Sequence, residues 1–151
     1  MRIFNSNVKS VLLYGSETWR LTSAIVKKLQ SFVNRRLRYI LGIFWPEKIA
    51  NKDLWERTEQ EMIEVTIRRR KWKWIGHTLR KPIDNTTRQA LEWNPQGKRN
   101  KGRPKKTWRR TVSEEHNAIG MTWDQIKRVA KNRVRWRKLV EALCSGRSEE
   151  D

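Results

Sequence analysis

Thr22-Ser23-Ala24-Ile25-Val26-Lys27-Lys28-Leu29-Gln30-Ser31-Phe32-Val33-Asn34-Arg35-Arg36-Leu37-Arg38-Tyr39-Ile40-Leu41 decides the fold class of this chain. Its apolar residues Ile25, Val26, Leu29, Phe32, Val33, Leu37, Ile40 and Leu41 recur at three- and four-residue steps. Arg35, Arg36 and Arg38 fall mostly on the other face, so the period is that of an amphipathic helix. Thr22 or Ser23 can cap its start, and Gly42 followed by Pro46 ends it.

The same period runs outward in both directions. A second helix is expected over Glu59 to Leu79, with Ile63, Ile67, Trp74 and Ile75 on one side. The basic run Arg68-Arg69-Arg70-Lys71 takes the rest, and Pro82 stops the helix. Asn51 reads as the cap of a short helix through Leu54 and Trp55. Val8 to Tyr14 carries strand-like residues that a buried helix fits equally well. Towards the C-terminus a helix is expected from Thr107 to Ala118. Thr122-Trp123-Asp124-Gln125 then forms a capping box, in which a hydroxyl and an amide three residues apart satisfy first-turn amides. A last helix follows, with Ile126, Val129, Ala130, Arg133, Val140 and Leu143 as its stripe and Val134 and Trp136 at its edge. Gly120 joins these helices into a hairpin. The expected fold is mainly α.

Trp93 to Arg110 interrupts the pattern. Pro95, Gly97, Gly102 and Pro104 break regular structure there. Lys98, Arg99, Lys101, Arg103, Lys105, Lys106, Arg109 and Arg110 fill it with positive charge and no acid. The expected organisation is a helical unit over 1–92, a basic hinge over 93–106 and a helical hairpin with a short acidic tail over 107–151.

The 151 residues include 35 Lys plus Arg and 16 Asp plus Glu, a formal net charge of +19. Charge of that size concerns partners rather than fold, and the expected partner is a polyanion. Nine Trp residues set the chain apart from a disordered basic tail. The single Cys144 rules out a disulfide framework and a thiolate zinc finger. No apolar run approaches the roughly 20 residues of a membrane span, and no signal-peptide region opens the chain. The protein is therefore expected to be intracellular, nuclear or cytoplasmic, without a membrane partner.

Metal-dependent polymerases and nucleases need clustered carboxylates to hold hard cations near phosphate. Here Asp53, Asp84, Asp124 and Asp151 stand apart. Glu114-Glu115-His116 reads as a solvated helix face, and His77 has no second His at ligand spacing. No phosphate-cradling loop and no Gly-x-Ser-x-Gly elbow is present. Neither catalytic residues, nor a metal, nor a cofactor is expected in this chain.

Binding has better candidates. Lys101-Gly102-Arg103-Pro104-Lys105-Lys106 is similar to an AT-hook core, whose thin Gly/Pro backbone lets Arg lie along a narrow A·T minor groove. A less specific phosphate-binding loop and a solvated linker are the other readings. Trp and cations interleave in Arg70-Lys71-Trp72-Lys73-Trp74, Thr107-Trp108-Arg109-Arg110 and Arg135-Trp136-Arg137-Lys138. Helical spacing assigns Trp74, Trp108 and Trp136 to the core, whereas Trp72 is the expected exposed, stacking ring. The expected nucleic-acid-binding residues are Arg68, Arg69, Arg70, Lys71, Trp72, Lys98, Arg99, Lys101, Gly102, Arg103, Pro104, Lys105, Lys106, Arg109 and Arg110.

A series of segments resembles one family. Val11-Leu12-Leu13-Tyr14-Gly15-Ser16-Glu17-Thr18-Trp19 resembles the segment that follows the catalytic core in non-LTR (LINE-type, RTE-like) retrotransposon reverse transcriptases. Arg36 to Ile43, Trp72 to Arg80, Gly102 to Trp108 and Trp136 to Val140 continue the series in the family's order. The resemblance implies a thumb-like helical segment and tail beyond the palm of an RNA-directed DNA polymerase with an upstream endonuclease. The palm's paired aspartates have no counterpart here, so no catalytic residue carries over. The implied partners are RNA, DNA or their hybrid and the missing palm, with Met1 an internal methionine of a longer frame. A stand-alone AT-hook protein and a degenerate remnant are the alternatives.

Overall fold

A computed structural model describes residues 1–93 and 106–145. It is mainly helical, as expected, and the described residues contain no strand. The chain forms two compact units, Met1–Arg68 and Arg69–Asp151, whose boundary falls inside one helix. The hinge assigned to 93–106 lies almost wholly outside the described residues.

In the first unit, a π-helical Phe4–Lys9 runs into α1 (Ser10–Leu12), so Val8 to Leu12 are helical while Leu13 and Tyr14 lie in the turn that follows; Val8, Val11 and Tyr14 are exposed rather than buried. A 3-10 turn (Ser16–Thr18) leads to α2 (Ser23–Ile40). Thr22 caps α2 by accepting from the Ile25 amide. Gly42 follows the helix at a φ of 70°, in the left-handed region where a side chain is strained. Val33 and Leu37 of the stripe are buried with Phe4, Leu13, Leu54, Ile63 and Ile67, while Val26, Leu29 and Leu41 pack against them. Ile25, Phe32 and Ile40 stay on the surface.

A polar strut ties α2 to α3 (Asn51–Thr58). Buried Asn34 accepts from the Gln30 amide and the Trp55 indole at Oδ1, both at 2.8 Å, and donates to Asn51 Oδ1. Asn51 is therefore the first residue of α3 and a strut, not its cap; Ala50 holds the cap position. The helix expected from Glu59 begins instead with α4 (Ile63–Leu79). Glu59 sits at a φ of 51°, ending α3, and Gln30 Oε1 accepts from the Ile63 amide at 2.7 Å. That contact satisfies a first-turn donor that has no partner within the helix.

The second unit takes α4 from Arg69 onward, then α5 (Thr86–Glu92), α6 (Trp108–Ala118), α7 (Trp123–Ala130) and α8 (Arg133–Ser145). Asn85 caps α5, Thr107 caps α6, and Thr122 with Gln125 forms the expected capping box at α7. The expected last helix is two: Asn132 Oδ1 accepts from the amides of Val134 and Arg135, starting α8 afresh after α7 ends. Trp136 is buried with Val140, Leu143 and Cys144, in the core where helical spacing assigns it and not at the stripe's edge. Its indole donates to the Trp72 carbonyl and lies over Gly76, where any Cβ would meet the ring. Trp74 and Trp108 meet edge to face at 6.1 Å.

Candidate nucleic-acid interface

The basic run on α4 serves the interior of the protein. Arg68 pairs with Glu64 at 2.9 Å and is nearly buried. Lys71 is buried against Glu115 at 2.7 Å, and Arg69 pairs with Glu141 at 3.5 Å. Trp72 corrects the expectation of an exposed ring: it is 0% exposed, its indole donates to Glu115 Oε2, and it packs beside Trp136. The cause lies 43 residues away in sequence, where Glu115 offers one oxygen to the ammonium and one to the indole. Burial takes Arg68, Lys71 and Trp72 off the surface that a polyanion reaches in this conformation. Arg70 is half-buried.

Lys106, just before α6, and Arg109 and Arg110 of α6 also have partners within the chain. Lys106 and Arg110 both reach Glu114, at 2.9 and 3.4 Å. The Lys106 hydrogen bond and the two neighbouring cations hold the Glu114 carboxyl below its ordinary pKa. Arg109 donates to the carbonyls of Leu91, Glu92 and Trp93, closing the C-terminal end of α5. Lys98, Arg99, Lys101, Gly102, Arg103, Pro104 and Lys105 lie outside the described residues.

A different surface gathers cations without neutralising them. From Gln125 to Val140 the sequence holds Lys127, Arg128, Lys131, Arg133, Arg135, Arg137 and Lys138 and no acid. Lys127 reaches Glu92 at 3.3 Å and Asp124 at 4.0 Å. The other six are exposed and make no ion pair among the described residues. The fold concentrates them: Asn132 turns the chain between α7 and α8, and Arg80, just past the end of α4, joins the corner by donating to the Ala130 carbonyl at 3.1 Å. Burial, and then the Arg133 charge beside it, lowers the Arg80 pKa. The stripe reading puts Arg133 among apolar residues, and the signal it passes over is the absence of acids across sixteen positions.

The first unit offers a second concave surface. Ser31, Asn34, Arg35, Arg38, Tyr39, Ile43, Phe44, Trp45 and Asn51 line an open cleft of 570 Å³. Among the described residues no group of three or more His, Cys, Asp or Glu could hold a metal ion. None of their helices is long and apolar enough to cross a membrane.

No protein-family profile and no solved structure matches the chain. A Caenorhabditis elegans protein named as transposon-derived is 26% identical over 149 residues, covering 93% of this chain. The chain spans about half, 53%, of that protein's length. The similarity is consistent with a transposon-derived origin for this helical chain.

Proposed function

We propose that the chain is the non-catalytic, nucleic-acid-gripping C-terminal part of a non-LTR retrotransposon reverse transcriptase. In the parent enzyme it holds template–primer or target DNA while an upstream polymerase domain does the chemistry. The ordered series of family-like segments supports the parentage, and the similarity to a transposon-derived protein along 93% of the chain agrees with it. The observation that carries the binding role is the acid-free α7–α8 corner with its exposed Arg128, Lys131, Arg133, Arg135, Arg137 and Lys138. Exposed cations supply phosphate contacts, which fix position without reading sequence. The acid-free hinge around Arg103 extends the same chemistry.

Filter binding with blunt DNA duplex, RNA–DNA hybrid and single-stranded probes tests the reading. All three are expected to bind at low salt, with little dependence on sequence. Failure to retain any of them at low salt would sink it.

A further inference from the structure

We propose that the cleft between the C-terminal half of α2 and the loop before α3 is a stacking site for an unpaired nucleobase of single-stranded nucleic acid. The inference rests on nucleic acid being the ligand, but on residues separate from the α7–α8 corner. Trp45 is 86% exposed, Tyr39 66% and Phe44 57%, all lining one cleft. Such a concentration of bare rings is costly in water and marks a surface that something covers. Tyr39 and Phe44 hold each other edge to face at 5.9 Å and 89°, leaving ring faces for a third aromatic group.

The cations beside the rings argue for a base rather than an apolar partner. Arg38 is fixed in the cleft wall by hydrogen bonds to Asn51 Oδ1 at 2.7 Å and the Ile49 carbonyl at 3.2 Å. Arg35 is exposed and makes no ion pair among the described residues. By contrast, the Arg36 guanidinium is already placed over the Phe32 ring at 5.4 Å. No Asp or Glu lines the cleft, and Ser31 adds a neutral hydrogen-bonding group beside the Asn34–Asn51 strut. Rings for a π-face, guanidiniums for the flanking phosphates and an acid-free lining are what sequence-tolerant single-strand sites share. The cleft volume falls within the roughly 300–1,000 Å³ of ligand sites.

The experiment photo-crosslinks the whole chain to 12-mers of uridine and of deoxyuridine carrying one 5-iodouracil, and measures affinity for the same strands and a blunt duplex. Crosslinks are expected at Trp45 or Tyr39. The double variant Tyr39→Ala, Trp45→Ala should lose roughly tenfold in single-strand affinity, with duplex affinity within about twofold. Trp45→Phe keeps a ring and should recover most of the loss. If duplex binds but the crosslinks lie elsewhere and the double variant is unchanged, the cleft proposal falls and the phosphate-binding role stands. If no probe binds, both fall. Strands competed off by an apolar protein surface, with no crosslink in the cleft, would identify a docking face and overturn the nucleobase assignment.

Discussion

Gly76→Ala is expected to destabilise the second unit by about 2–4 kcal/mol. A helix-interior alanine is ordinarily worth about 1 kcal/mol more than glycine. Here its methyl would stand 2.1 Å from Trp136 Nε1 and 2.2 Å from Cε2. The obstacle is a buried ring, not the loose end of a flexible chain, and its N–H is already bound to the Trp72 carbonyl. Either α4 and α8 separate or the indole leaves, and losing a buried Trp altogether costs about 3–5 kcal/mol. The mutant cycle gives the sharper test. In a Trp136→Ala background the clash is gone, so Gly76→Ala should become neutral or stabilising. Urea denaturation followed by near-ultraviolet circular dichroism reads both. The same destabilisation in both backgrounds would contradict the Gly76–Trp136 contact.

Glu115→Ala is the second large effect, about 3 kcal/mol or more. It leaves the Lys71 ammonium without that partner at 4% exposure and the Trp72 indole N–H without its acceptor. Breaking a buried pair from one side is far costlier than the net worth of the pair, because the remaining charge stays desolvated. Replacing both charges, with Lys71→Met and Glu115→Gln, should recover much of the loss, since the amide oxygen still accepts from Trp72. An exposed pair such as Lys106–Glu114 predicts no comparable effect when broken. A Glu115→Ala midpoint equal to that of the parent chain would show that the triad does not support the fold.

The parts of this fold that are legible in sequence are those whose causes are local. Thr22 and the Thr122–Gln125 box cap their helices as read, because a hydroxyl and an amide three residues on need nothing else. Gly42 ends α2 for an equally local reason. The misreadings have distant causes. Glu59 through Met62 continues a helical pattern, yet α4 starts at Ile63, where Gln30 from 33 residues upstream holds the first amide. Trp72 sits in a run of cations that looks solvated, and Glu115 draws both it and Lys71 inward. Asn132 is a local signal hidden by the apolar period that runs through it. The cationic corner was equally readable as an acid-free run, but a stripe counted only from apolar residues conceals it.

These placements change which cations matter. Arg69 and Lys71 tie α4 to Glu141 and Glu115 within the second unit, and Arg68 pairs with Glu64 within the first. Neutralising the buried Lys71 would weaken the fold before it weakened binding. The exposed α8 cations can be removed without opening the core, which separates the two effects.

The most direct test of the central claim is the slope of log binding constant against log salt for a DNA duplex. It is measured on the whole chain and on the variant Arg133→Ala, Arg137→Ala, Lys138→Ala. Each phosphate neutralised contributes about −0.9 to that slope. A steep dependence is expected for the whole chain and a slope shallower by up to about three for the variant, with its melting transition retained. A salt-insensitive constant, or an identical slope and affinity in the variant, would contradict the claim that this corner grips the phosphate backbone.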